Sequence, residues 1–146
     1  MRKRILALIL ALVMCLSLLP AGALADDVIA EGTDKDISWS LDTNGTLTVS
    51  GTGSIQYEYS TAPWKPYAAD IKALVVGEGI TMIGKKAFDH LENLETISLP
   101  SGFMRIYDSA FSSCTSLKSI VIPEGVKSIG NSAFSSCTSL KSIVIP

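Results

Sequence analysis

The chain has 146 residues, 18% of them charged, and a formal net charge of −2. This is one domain's length. A mildly acidic balance gives no electrostatic reason to expect nucleic acid or an anionic membrane as partner.

Residues 1–25 read as a signal peptide. Arg2, Lys3 and Arg4 form a basic start, Ile5 to Leu19 is an uncharged apolar run, and Pro20 breaks it. Ala23 and Ala25 are the small residues a signal peptidase reads, which places cleavage before Asp26. The run is shorter than the ~18–20 apolar residues of a spanning helix, and no second one comes after it. The mature chain is therefore expected outside the cytoplasm with no transmembrane span of its own. The signal carries three positive charges and no negative one, so its removal shifts the formal charge from −2 to −5.

Residues 26–36 are polar and expected to be a flexible leader. Residues 37–70 are expected to form an N-terminal cap. Within it, Ile37-Ser38-Trp39-Ser40-Leu41 and Thr46-Leu47-Thr48-Val49-Ser50 alternate apolar and polar residues around the turn Asp42-Thr43-Asn44-Gly45. That pattern predicts a β-hairpin. The turn faintly resembles a calcium loop but lacks the required glycine placement and terminal glutamate. A hairpin here would cover the open edge of the first repeat.

Residues 71–146 are repetitive. Ser109–Pro123 and Ser132–Pro146 are the same fifteen residues, 23 positions apart. The period divides the region into 71–93, 94–116, 117–139 and a partial 140–146. Each unit opens on an apolar triplet: Ile71, Leu74, Val76; Leu94, Ile97, Leu99; Leu117, Ile120, Ile122; Leu140, Ile143, Ile145. The last two of each triplet have strand spacing. Gly79, Gly102 and Gly125 then suit a bend with positive φ. A short second strand should come next, with a tight turn near Gly84 and Gly130 and an irregular or helical turn around the Ala-Phe pairs. Phe88, Phe111 and Phe134 are in register and should stack as core. The prediction is a β-rich leucine-rich-repeat solenoid of 23-residue repeats with an N-terminal β-hairpin cap.

The runs W-S-L-D-T-N-G-T-L-T-V-S-G-T-G and A-P-W-K-P-Y, followed by the repeats L-K-S-I-V-I-P-E-G-V-K-S-I-G-N-S-A-F-S-S-C-T-S, are similar to the BspA-like leucine-rich-repeat proteins of bacteria. The likeness runs from about Ile37 to Pro146. It implies a secreted or cell-surface protein, in some cases an adhesin for host proteins or other cells, and carries over no catalytic residue. Gly125 and its equivalents stand where many leucine-rich repeats place an asparagine ladder, so their horseshoe curvature is not carried over.

Candidate chemistry is sparse. Cys114 and Cys137 are one period apart, and Leu91 fills the same slot in the first repeat, so both are expected as buried reduced thiols. His90 is the single histidine and accompanies no nucleophile motif. No catalytic residue, cofactor or metal ligand is assigned. The candidate binding face is the outward side of the first strands: Ala73 and Val75, Thr96 and Ser98, Ser119 and Val121, Ser142 and Val144, with Lys72, Glu95, Lys118 and Lys141 in a column beside them. Such a surface suits a protein or a host or cell-surface ligand.

The functional expectation is a non-enzymatic binding protein, secreted or at the cell surface, mediating protein–protein interaction or adhesion. The alternative is a spacer or targeting module of a longer extracellular protein or enzyme. Pro146 falls one strand into a repeat, and solenoids need polar end caps, so a truncated product with edge-to-edge self-association at Leu140–Pro146 is a further expectation.

Overall fold

The computed structural model describes residues 27–57 and 61–146. The signal segment 1–25 lies outside them. The chain winds as a solenoid whose coils each lay down one strand in each of two walls. The first wall contains β1 (Val28–Asp34), β2 (Ile37–Asp42), β3 (Thr46–Gly51), β5 (Ala73–Val76) and β7 (Thr96–Ser98), hydrogen-bonded in that order. The pair β9 (Ser119–Val121) and β11 (Ser142–Val144) continues it, with the Lys118 amide donating to the Glu95 carbonyl at 3.3 Å. The second wall is the parallel sheet β4 (Gly53–Ile55), β6 (Ile80–Ile83), β8 (Arg105–Ile106) and β10 (Ser128–Ile129). Repeat strands pair in parallel at an offset of 23, as in Leu74 with Ile97, Ile83 with Ile106 and Ile120 with Ile143.

The cap is built as expected in one respect: β2 and β3 form the antiparallel hairpin, with Asp42 Oδ1 accepting the amides of Asn44 and Thr46 at 2.9 Å. Their alternation is used as strands use it, since Ile37, Trp39 and Leu41 and then Leu47 and Val49 are buried. The hairpin also does more than cover an edge. β3 pairs in parallel with β5, and β4 with β6, so the cap supplies a zeroth coil to both walls.

Two expectations are corrected. The flexible leader expected over 26–36 is overturned within the described residues, because Val28–Asp34 is β1, antiparallel to β2. Polar composition did not prevent this: backbone hydrogen bonds to β2 hold the strand, and Ala30 packs against the core. Gly102 and Gly125 do not take positive φ, and of that column only Gly79 does, at 96°.

The left-handed positions of the repeats lie elsewhere. Lys86, Ser109 and Ser132 form one column and His90, Ser113 and Ser136 another, with φ between 55° and 61°. They bracket the Ala-Phe turns. There the backbone amides alternate between two kinds of partner. Lys86, Phe88 and His90 donate to Asp108, Ala110 and Ser112 of the next coil, at 3.3, 2.9 and 2.8 Å. Ala87 and Asp89 donate within their own coil, to Gly84 and Lys86. Ser109, Phe111 and Ser113 repeat the pattern toward Asn131, Ala133 and Ser135. Bonds to the next coil leave no room for a continuous helix and satisfy the turn's polar groups.

Inside runs an aromatic column. Trp64, Phe88, Phe111 and Phe134 stack with centroid separations of 5.0, 5.5 and 5.6 Å and interplanar angles of 12°, 10° and 6°. The expected phenylalanine column is therefore core. Its first member, Trp64, lies outside the repeat spacing. Trp64 precedes a 3-10 helix (Lys65–Asp70) and stands 24 residues before Phe88. It occupies the cap's version of the phenylalanine slot, and its indole donates to the Ala87 carbonyl at 3.0 Å.

Candidate functional site

The walls decide which side chains reach solvent. On the first wall, Leu74, Val76, Ile120 and Ile122 turn inward and are buried. Their neighbours must then point outward. Val75, Thr96, Ser98, Ser119, Val121, Ser142 and Val144 are exposed, while Ala73 is half-buried. The parallel register puts Ala73 beside Thr96, Val75 beside Ser98, and Val121 beside Val144. The result is a row of short side chains with valines at Val75, Val121 and Val144, the last two 63% and 54% exposed.

Beside this row stand Lys72, Glu95, Lys118 and Lys141. Lys118 Nζ lies 2.8 Å from Glu95 Oε2. The hydrogen bond and charge of Lys118, and more weakly the charge of Lys72, hold the Glu95 carboxyl below its usual range. Both partners are exposed, so the pair orients side chains rather than holding coils together. The wall thus offers small and apolar side chains edged by charges.

The remaining candidates have structural settings. Cys114 and Cys137 are buried free thiols, their sulfurs donating to the carbonyls of Phe88 and Phe111 at 3.3 and 3.1 Å. Burial pushes the Cys114 thiol up to about 12 and raises that of Cys137. At pH 8 this leaves roughly one Cys114 in ten thousand as thiolate, the reactive form. Brief iodoacetamide treatment of the native protein is expected to spare Cys114, with Cys137 labelled ahead of it and both labelled fully in denaturant. Peptide mapping reads the order, and prompt labelling of native Cys114 would contradict its burial.

His90 is exposed, with Nδ1 3.1 Å from Asp89 Oδ2. Asp89 itself is buried, and Lys65 reaches in to bond both its carboxylate and its carbonyl. This ion pair ties the 3-10 helix of the cap to the first Ala-Phe turn. The sequence offered no spacing that would find it, because the partners are 24 residues apart with no repeat partner for Lys65. Among the described residues no cluster of three His, Cys, Asp or Glu side chains could hold a metal ion.

Residues 67–146 match the family model described as BspA type Leucine rich repeat region (6 copies). The chain belongs to this family. Its fold is similar to that of a leucine-rich repeat protein from Eubacterium ventriosum ATCC 27560, with a TM-score of 0.65 and 27% identity. That alignment covers 82% of this chain and 38% of the Eubacterium protein, so the chain spans well under half of that protein's length. Weaker likenesses are to the T. pallidum leucine-rich repeat protein (TM-score 0.48, 21% identity, 78% of this chain and 71% of that one) and to a leucine-rich repeat protein from Bacteroides ovatus ATCC 8483 (TM-score 0.46, 21% identity, 86% and 41%). No curated protein matches the chain. It is a bacterial-type leucine-rich-repeat solenoid of the BspA class.

Proposed function

We propose that this BspA-type chain is an exported, non-enzymatic binding protein whose first wall receives a protein partner, on a host or neighbouring cell or in the surrounding matrix. The observation that carries the reading is the outward row from Ala73 to Val144. A solenoid repeats one small surface at a fixed spacing, and this builds a contact area larger than any single loop could. The face is lined by side chains with little rotamer freedom to lose and bordered by charges that can set orientation.

Val121→Asp places a charge at the middle of the row. The side chain is 63% exposed, so stability is expected to change by less than about 0.5 kcal/mol. Adhesion of protein-coated beads to cells is expected to fall at least several-fold relative to the unaltered protein. Equal adhesion of the two would remove the first wall from the reading.

Export rests on the basic start, apolar run and Ala23-Leu24-Ala25 site. Mass spectrometry of the product released by the producing cell is expected to find Asp26 as the first residue. An intact Met1 on membrane-bound protein would overturn secretion. Among the described residues no helix is long and apolar enough to cross a membrane.

A second reading has its own support. The chain spans 38% of the Eubacterium protein, so the repeats also fit a spacer or targeting module of a longer extracellular protein. Coding sequence beyond Pro146 separates the two: a catalytic domain there favours the module, and further repeats favour the binding wall.

A further inference from the structure

The β2–β3 turn ends in the pair Asn44-Gly45, and the fold explains why the glycine is there. Gly45 has a φ of 83°, in the left-handed region, and a Cβ on it would lie 2.6 Å from the Asp70 carbonyl oxygen. Glycine is the residue that meets both conditions. Its carbonyl accepts two amides of the first repeat, Lys72 at 2.8 Å and Ala73 at 3.1 Å. The turn is thus a joint between the cap hairpin and β5, next to the point where Thr46 begins the parallel pairing with Ala73.

The residue before that glycine is open to chemistry. Asn44 is exposed, and while its backbone amide is held by Asp42 Oδ1 at 2.9 Å, its side-chain amide has no hydrogen-bond partner among the described residues. The other two asparagines of the chain are set differently. Asn93 precedes Leu94, and its Nδ2 donates to the Ala69 carbonyl at 2.8 Å. Asn131 is exposed but precedes Ser132, which carries a side chain where Gly45 has none.

We propose that Asn44 is a site of spontaneous deamidation to isoaspartate, and that the change uncouples the cap hairpin from the first repeat. The Gly45 nitrogen attacks the side-chain carbonyl carbon of Asn44 and loses its proton. The bond from that carbon to Nδ2 breaks, ammonia leaves, and a succinimide ring is closed. Glycine permits this because it has no Cβ to obstruct the ring and a backbone free to rotate. The Gly45 amide must first leave the Asp42 carbonyl, which it meets at 3.1 Å, and this is the opening of one turn bond rather than of the fold. Water then opens the ring at either carbonyl. One opening gives aspartate on an unaltered main chain. The other gives isoaspartate, whose main chain runs through the former side chain and is one carbon longer. That extra atom, directly before Gly45, displaces its carbonyl from the Lys72 and Ala73 amides. The site does not depend on what the first wall binds.

The test holds the folded protein at mildly alkaline pH, with the same protein in denaturant as the clock, and maps its peptides over time. An isoaspartyl methyltransferase assay reads the isoaspartate. Within several half-lives of the denatured chain, Asn44 of the folded protein is expected to convert from amide to acid, well ahead of Asn93 and Asn131. The fraction carrying isoaspartate at position 44, separated by ion exchange, is expected to melt at a lower temperature. Asn44→Asp supplies the same charge on an unaltered main chain and should melt with the original protein, and Asn44→Gln should stop the conversion. An Asn44 that stays intact over that time would show that the bond to Asp42 shuts the site. Conversion of all three asparagines at one rate would remove the special role of Gly45, and an isoaspartate form that melts with the original protein would separate the site from the joint. Each of these three results overturns the proposal.

Discussion

Phe111→Ala is expected to destabilise the protein by about 3–5 kcal/mol, the range for removing a fully buried phenylalanine. Phe111 has no solvent exposure and is stacked on both sides, 5.5 Å from Phe88 and 5.6 Å from Phe134. Its loss removes buried area, opens a void and interrupts the aromatic column midway. The gap cannot close cheaply, because backbone bonds from Phe88 N to Ala110 O and from Phe111 N to Ala133 O, both 2.9 Å, hold the coils in place around it. Phe134→Ala is expected to cost less, since Phe134 is only partly buried. Chemical denaturation of the two variants checks the order. A cost below about 1 kcal/mol for Phe111→Ala would return the column to consideration as a ligand surface.

Lys65→Met is expected to cost about 3–5 kcal/mol, because it leaves the Asp89 carboxylate buried without its counter-charge. The Lys65 and Asp89 side chains are only 16% and 7% exposed, so water replaces the lost partner poorly. The repeats themselves supply the control. Ser112 and Ser135 occupy the positions equivalent to Asp89. Lys65→Met with Asp89→Ser removes both charges and should recover most of the lost stability, as replacing a whole buried pair often does. If the double variant is no more stable than Lys65→Met alone, the ion pair is not what joins the cap to the first coil.

Much of this architecture is legible in the chain. A repeat of 23 residues forces equivalent positions into columns, and apolar residues two apart must share one side of a strand. Period and spacing together determine the two-walled solenoid, the inward triplets, the phenylalanine column, and which residues of the first wall face solvent. The Asp42–Gly45 turn and the β2–β3 hairpin arise from local alternation. These are consequences of local and periodic constraints, and a sequence records such constraints directly.

Only the tertiary structure decided the rest, because it depends on contacts with no period. Val28–Asp34 becomes a strand because β2 offers it an open edge, something its polar composition does not announce. Trp64 enters the aromatic column one residue out of register, as the 3-10 helix after it delivers the chain to the first coil at a different spacing. Left-handed turns fall on lysine, histidine and serine rather than on Gly102 or Gly125. The same conformation recurs in all three Ala-Phe turns, including Ser132 and Ser136 of the last one. Lys65 finds Asp89 through the packing of the cap's 3-10 helix against the first coil. Repetition determined the frame, and the departures from repetition, placed by packing of one coil on the next, decided where this protein carries its distinctive chemistry.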